Sequence, residues 1–227
     1  MDLSVAVTVA LALGAAYLIG SLSFAVIVSR LLGLADPRSY GSHNPGATNV
    51  LRSGKRSAAV LTLALDVLKG YLPVLAVLVW GPAWGLGVGT AAWVGAAAFA
   101  GHVWPVFFRF QGGKGVATGA GVLFALNPLL GVATLASWAI IAFFLRYGAL
   151  ASIVAALFAP FYQLLIWGAG FVVLPIALMS LLLVWRHEPN IRKLLAGTES
   201  RLGQRAAPPA APGGSGGAHG GHRRRSR

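Results

Sequence analysis

The sequence predicts an all-α, polytopic transmembrane bundle of about seven helices, and three observations carry that reading. The 227 residues are 57% hydrophobic and 10% charged, with a mean hydropathy of +0.75. Soluble domains carry about 25% charged residues. The apolar residues come in runs near the length, about 20 residues, that spans a bilayer. Between those runs the lysines and arginines collect in alternate loops.

The first apolar segment covers about 4–28 and is read as an uncleaved helix, because no positive n-region precedes it. A polar loop over 30–57 follows. The second segment, about 58–80, contains Asp66 and Lys69. A Gly/Pro turn leads to the third, about 85–100. A second polar loop covers 101–115. The fourth segment, about 116–126, is short for a full crossing at about 1.5 Å per residue. Asn127-Pro128 turns the chain into the fifth, about 129–145. Arg146-Tyr147-Gly148 separates that from the sixth, about 149–167, and the seventh runs over about 171–185. The membrane domain is expected over 1–205. A Gly/His/Arg tail at 206–227 reads as disordered, with Arg223, Arg224 and Arg225 near anionic headgroups.

The charges fix an orientation. The first loop holds Arg30, Arg38, Arg52, Lys55 and Arg56; the third holds Arg109 and Lys114; the fifth holds Arg146. The even loops hold none. By the positive-inside rule the basic loops and the C-terminus lie in the cytoplasm and the N-terminus outside. A net charge of +13 with five acidic residues raises nucleic-acid binding, but placement in short loops between spans points instead to membrane topology and anionic ligands. With no cysteine, disulfides, thiolate metal sites and a thiol nucleophile are excluded.

Three polar clusters fall on that one side. GSHNPGATNVLR, residues 41–52, brings Ser42, His43, Asn44, Thr48, Asn49 and Arg52 together. Arg52 suits bidentate phosphate binding; the plain alternative is a polar loop with helix caps. In residues 101–121, Gly112, Gly113 and Gly115 surround Lys114 just before a helix. Bared N–H groups, a helix start and a lysine make a phosphate cradle. The alternative is a re-entrant turn or a close helix crossing. Walker A spacing fails, with Phe108 and Gly115 where glycine and Ser/Thr are needed. In residues 186–200, His187 and Asn190 lie three apart and would share a helix face. His187 is the candidate general base; the alternative is an amphipathic surface helix with Arg192 and Lys193 on headgroups. Asp66 and Lys69 read as a structural pair or as a site feature. His102 reads as an interface residue or a positioning group.

These stretches closely resemble the bacterial acyl-phosphate:glycerol-3-phosphate acyltransferases, the PlsY family. The resemblance runs from GSLSFA in the first segment to GTESR, with GSHNPGATNVLR, GGKGVAT and HEPNI…GTE in the family's order. It implies acyl transfer from acyl-phosphate to the 1-hydroxyl of sn-glycerol 3-phosphate, giving 1-acyl-glycerol 3-phosphate and phosphate, an early step of phospholipid synthesis. His187, Asn190, Lys114 and Arg52 would be catalytic. Ser42, Thr48, Asn49, Gly112, Gly113, Gly115 and Ser152 would bind substrate. The implied partners are those substrates and membrane lipids, without nucleic acid, metal or cofactor. The implied place is the bacterial inner membrane, with the site at its cytoplasmic face. Two features depart from the family pattern: His43 and Pro45 in the first loop, and Ser23 where proline is frequent.

Phosphate is a good leaving group, so direct attack of the glycerol hydroxyl on the acyl carbonyl needs no protein nucleophile. His187 and a substrate phosphate oxygen both stand as proton acceptors. The HxxxxD pattern of another acyltransferase class is absent, since Phe107 and Thr48 stand five after His102 and His43. An anion transporter would spread polar residues through the bilayer depth or show inverted repeats. A metal-dependent lipid-phosphate enzyme would need more carboxylates.

Overall fold

A computed structural model describes residues 2–202; the tail expected at 206–227 lies outside them. Secondary structure among the described residues is helical, with no strand. The helices are α1 (Leu3–Gly20), α2 (Phe24–Leu31), α3 (Ala47–Leu51), α4 (Arg56–Trp80), α5 (Val88–Val103), α6 (Val116–Leu126), α7 (Pro128–Leu145), α8 (Gly148–Trp167), α9 (Val173–Arg186) and α10 (Glu188–Leu195). Five stretches are long and apolar enough to cross a membrane: Leu3–Gly20, Arg56–Trp84, Val88–Phe108, Pro128–Leu145 and Gly148–Trp167. The shorter apolar helices α6 and α9 complete the seven expected segments.

The outer faces are apolar. Leu11, Val60, Leu72, Phe143, Phe161 and Leu181 are all exposed, a surface that suits lipid and would aggregate in water. The interior is built of small residues around a few large ones, among them Phe99, Leu130 and Ile176, all fully buried. Lipid tails are as apolar as leucine, so close fit rather than water exclusion must hold the helices together. The α4–α6 contact shows this. A Cβ on Gly70 would overlap the Thr118 carbonyl, and one on Gly121 would overlap the Val67 carbonyl. The two backbones therefore touch, and α4 fixes where the short α6 begins.

The first apolar segment is not continuous. It breaks at 21–23 into α1 and α2. Ser21 Oγ donates to the Tyr17 carbonyl at 2.8 Å, competing with helix propagation. The break frees the Leu22 carbonyl, which accepts from Lys69 Nζ at 2.8 Å. Lys69 also pairs with Asp66 at 2.9 Å, both side chains buried. A buried ion pair survives desolvation only with further hydrogen bonds, and Leu22 supplies one. The third segment runs further than expected, so His102 lies on the last turn of α5 and not in a loop.

Candidate active site

The first polar loop is organised by Asn49, on the short helix α3. Its Nδ2 donates to the carbonyls of Pro37 at 2.6 Å and Tyr40 at 3.1 Å. Its Oδ1 accepts from the Ser42 N–H at 3.0 Å. These bonds occupy both ends of the Asn49 amide, so the residue shapes the loop instead of facing it. Ser42, Thr48 and Arg52 are exposed on that loop. His43 holds a left-handed φ of 56°, and its Nδ1 lies 3.0 Å from the Arg38 carbonyl. Arg38 in turn binds Asp36 through Nη2 at 2.6 Å.

The glycine loop is held from two sides. Gly113 donates its N–H to the His102 carbonyl at 3.1 Å. Arg186 donates to the carbonyls of Gly112 at 3.0 Å and Gly113 at 3.3 Å. Gly115 turns left-handed at φ 84° to start α6, and a Cβ there would strike the Phe99 ring. This refines the expected cradle. The Gly113 N–H is already used, and two carbonyls are turned to Arg186. Among the described residues, the N–H groups of Lys114 and Gly115 make no backbone hydrogen bond, and they sit at the positive end of α6.

The third cluster folds back onto this loop. Asn190, in the first turn of α10, accepts from Lys114 Nζ through Oδ1 and donates to Glu199 Oε1 at 2.8 Å. Arg52 reaches the 197–202 strap that carries Glu199, donating to Ser200 Oγ at 3.2 Å. The strap is pinned at Leu202, which donates to the Arg146 carbonyl at 2.6 Å and accepts from Arg146 Nη2 at 3.2 Å. Burial pushes the Lys114 ammonium down to about 8 against the pull of Glu199, and the cations of Arg186, Lys193 and Arg52 push it further. His187 is buried, with Nδ1 2.8 Å from the Leu183 carbonyl. Burial, joined by the charges of Lys114 and Arg186, pushes its imidazole down to about 4. A carbonyl only accepts, so Nδ1 carries the proton and Nε2 is bare.

Two spaces flank these groups. An apolar cavity of about 300 Å³ runs between α4, α6, α7, α8 and α9. Val116, next to Gly115, and Leu183, the partner of His187, are on its wall. Ser152 is on the same wall, its Oγ donating to the Gly148 carbonyl at 2.8 Å and accepting from Trp138 Nε1 at 3.1 Å. A polar recess of about 400 Å³ opens beside Gly112, walled by Arg38, His43, Gln111 and Arg186.

Thus Arg52, the glycine loop, Lys114, His187 and Asn190 gather at one end of the bundle, while Ser152 lines the apolar space beside them. Three participants were missed as individual residues. Arg186, Glu199 and Ser200 enter the sequence reading only as members of the 186–200 polar cluster. A carboxylate in a chain with five acidic residues, placed among cations, was the available signal for Glu199.

A family model for glycerol-3-phosphate acyltransferase matches residues 10–197. A glycerol-3-phosphate acyltransferase of Paraburkholderia phytofirmans is 59% identical over 196 residues, covering 86% of this chain and 92% of its own. That of Janthinobacterium sp. (strain Marseille) is 59% identical over 198 residues, covering 87% and 98%. Among solved structures, the glycerol 3-phosphate form of PlsY (YgiH), an integral membrane glycerol 3-phosphate acyltransferase, superposes with a TM-score of 0.80 at 37% identity. That match covers 86% of this chain and 96% of that one. The lysophosphatidic acid form gives 0.79 at 36%. On the family match and these identities, the chain belongs to the glycerol-3-phosphate acyltransferase family.

Proposed function

We propose that this protein transfers a fatty acyl group from acyl-phosphate to the 1-hydroxyl of sn-glycerol 3-phosphate, at the cytoplasmic face of the bacterial inner membrane. One observation carries the reading: basic and polar side chains from three separate loops meet beside an apolar cavity whose wall includes Val116 and Leu183. That arrangement fits a donor with an anionic head and a hydrocarbon tail. The tail takes the cavity between α6, α7, α8 and α9. The water-soluble acceptor enters through the polar recess beside Gly112.

Both substrates bring phosphate charge, which must be offset before they can approach each other. Lys114, Arg52 and the free N–H groups at the start of α6 do this, and they also stabilise the charge that develops on the acyl oxygen. Asn190 aims the Lys114 ammonium, and Asn49 sets the loop that carries Ser42, Thr48 and Arg52. The glycerol oxygen attacks the acyl carbon and the bond from that carbon to the phosphate oxygen breaks. The hydroxyl proton goes to a phosphate oxygen, so the products are 1-acyl-glycerol 3-phosphate and inorganic phosphate. A phosphate monoester with a second pKa of about 6 is the stronger base, because His187 stands near 4. Bare Nε2 of His187 is then left to orient glycerol 3-phosphate by accepting a hydrogen bond from its second hydroxyl, the one that does not react. No metal is required, since the leaving group needs no further activation.

The basic loops support an N-terminus outside and a C-terminus in the cytoplasm, with residues 1–205 as the enzyme domain. Cysteine scanning with a membrane-impermeant reagent on spheroplasts tests this. Cysteine at Ser53 should stay unlabelled and cysteine at Ala83 should react; the reverse pattern overturns the topology.

A further inference from the structure

His102 sits outside every group so far given a role in the reaction, yet it touches the glycine loop at three points. Its carbonyl accepts the Gly113 N–H at 3.1 Å. The same carbonyl lies where a Cβ on Gly112 would go. Its Nε2 lies where a Cβ on Gly113 would go. The loop therefore rests on both the backbone and the ring of this one residue.

The ring is itself fixed from behind. Nδ1 lies 3.2 Å from Thr118 Oγ1, on the first turn of α6, and 3.7 Å from Asp66 Oδ1 on α4. Asp66 is paired with Lys69, and Lys69 is anchored to the Leu22 carbonyl in the break between α1 and α2. Thr118 is fully buried and His102 nearly so. The Asp66 carboxylate, 3.7 Å away, favours the ring proton on Nδ1, the nitrogen that faces Thr118 Oγ1. Charges this deep in a membrane protein are costly and are kept where they do something.

We infer that His102 is a positioning residue for acyl transfer: held by Thr118 and the Asp66–Lys69 pair, it sets the register of the 112–115 turn and thereby aims Lys114 and the free N–H groups at the transferred phosphate. The chain Leu22–Lys69–Asp66–His102–Gly113 ties the helix break, α4, α5 and the loop into one rigid support. A shift of this ring by a fraction of an ångström moves the Gly113 peptide, because no atom lies between them. The inference rests on the proposed phosphate cradle and adds a residue that never touches substrate.

The test is a hydroxyl deletion that keeps shape. Full-length Thr118→Val, Thr118→Ser and His102→Asn are purified in detergent beside wild type, with Thr62→Val as a control. Thr62 is buried on α4, and among the described residues its hydroxyl has no hydrogen-bond partner. All are compared in whichever donor assay wild type supports, so failure of the acyl-phosphate assignment leaves the comparison intact. Thr118→Val is expected to lower kcat/KM by about tenfold or more, with most of the loss in kcat, at an unchanged melting temperature. Thr118→Ser restores it to within about twofold, and Thr62→Val matches wild type. His102→Asn loses more than Thr118→Val, and combining the two adds little, because they act through one ring. Wild-type kinetics in Thr118→Val overturn the inference. So does a loss that follows melting temperature and that serine does not rescue.

Discussion

Replacing Lys114 with methionine removes one charge from the site while keeping the length and apolar stem of the side chain. The ammonium is largely withdrawn from water, held by Asn190 and set beside the start of α6. A hydrogen bond from a charged donor contributes about 1.5–3 kcal/mol. Two unit charges about 4 Å apart at an effective dielectric near 20 interact by about 4 kcal/mol. A loss of about 3–4 kcal/mol in transition-state stabilisation is a fall of about 10²–10³ in kcat/KM. Steady-state phosphate release, with donor and acceptor varied in turn, measures it. The pH profile adds a second readout. Burial holds Lys114 near 8, and the cation is the active form, so wild-type kcat/KM is sustained below that value and declines as pH rises through it. Bound phosphate favours the cation, so the corresponding limb in kcat lies at higher pH. Methionine abolishes the limb, and Lys114→Arg moves it out of range while recovering part of the rate. A methionine variant within about threefold of wild type, or one that keeps the limb near 8, refutes the reasoning.

Arg52→Ala is expected to lower kcat/KM about tenfold, the lower end for a charged hydrogen bond, because Arg52 is exposed and screened. Since Arg52 helps depress Lys114, the alkaline limb should also move to higher pH; a limb that moves down contradicts the shared site. Gly115→Ala should destabilise by about 2 kcal/mol or more, from its left-handed φ and the Phe99 ring. Gly119→Ala meets the same ring at an ordinary 3.4 Å and should melt like wild type; equal melting of both variants contradicts the geometry. Ala156→Phe, on the cavity wall, should cost long-chain donors more than short-chain ones, and equal losses across chain length would show that the tail lies elsewhere. With His187 held near 4, an acidic limb in wild-type kcat at about 6 belongs to the substrate phosphate that takes the proton and should persist in His187→Asn. A limb there that vanishes in His187→Asn would make His187 the proton acceptor.

The spans were legible because a bilayer demands long apolar runs, and the short segment over 116–126 appears with those bounds as α6. The break at 21–23 was not, since Leu22 is apolar and only a distant lysine makes use of its carbonyl. The same distance effect hid the supports of the site. Arg186 and the glycine carbonyls are more than 70 residues apart, and nothing local in either stretch names the other. Asn49 illustrates the opposite error of emphasis: an amide in a polar loop reads as a ligand, whereas its bonds go to the carbonyls and N–H of its own loop. Composition revealed which loops carry phosphate-suited groups, and only the packing of α4 against α6 and the fold-back of the 197–202 strap revealed how they meet.

Donor choice by the purified enzyme is the most direct measurement. With a chelator present, acyl-phosphate and glycerol 3-phosphate should yield 1-acyl-glycerol 3-phosphate and inorganic phosphate in equal amounts, and acyl-CoA should yield none. Ester formed from acyl-CoA, with acyl-phosphate left untouched, would contradict an account in which the leaving phosphate is held by Lys114, Arg52 and the start of α6.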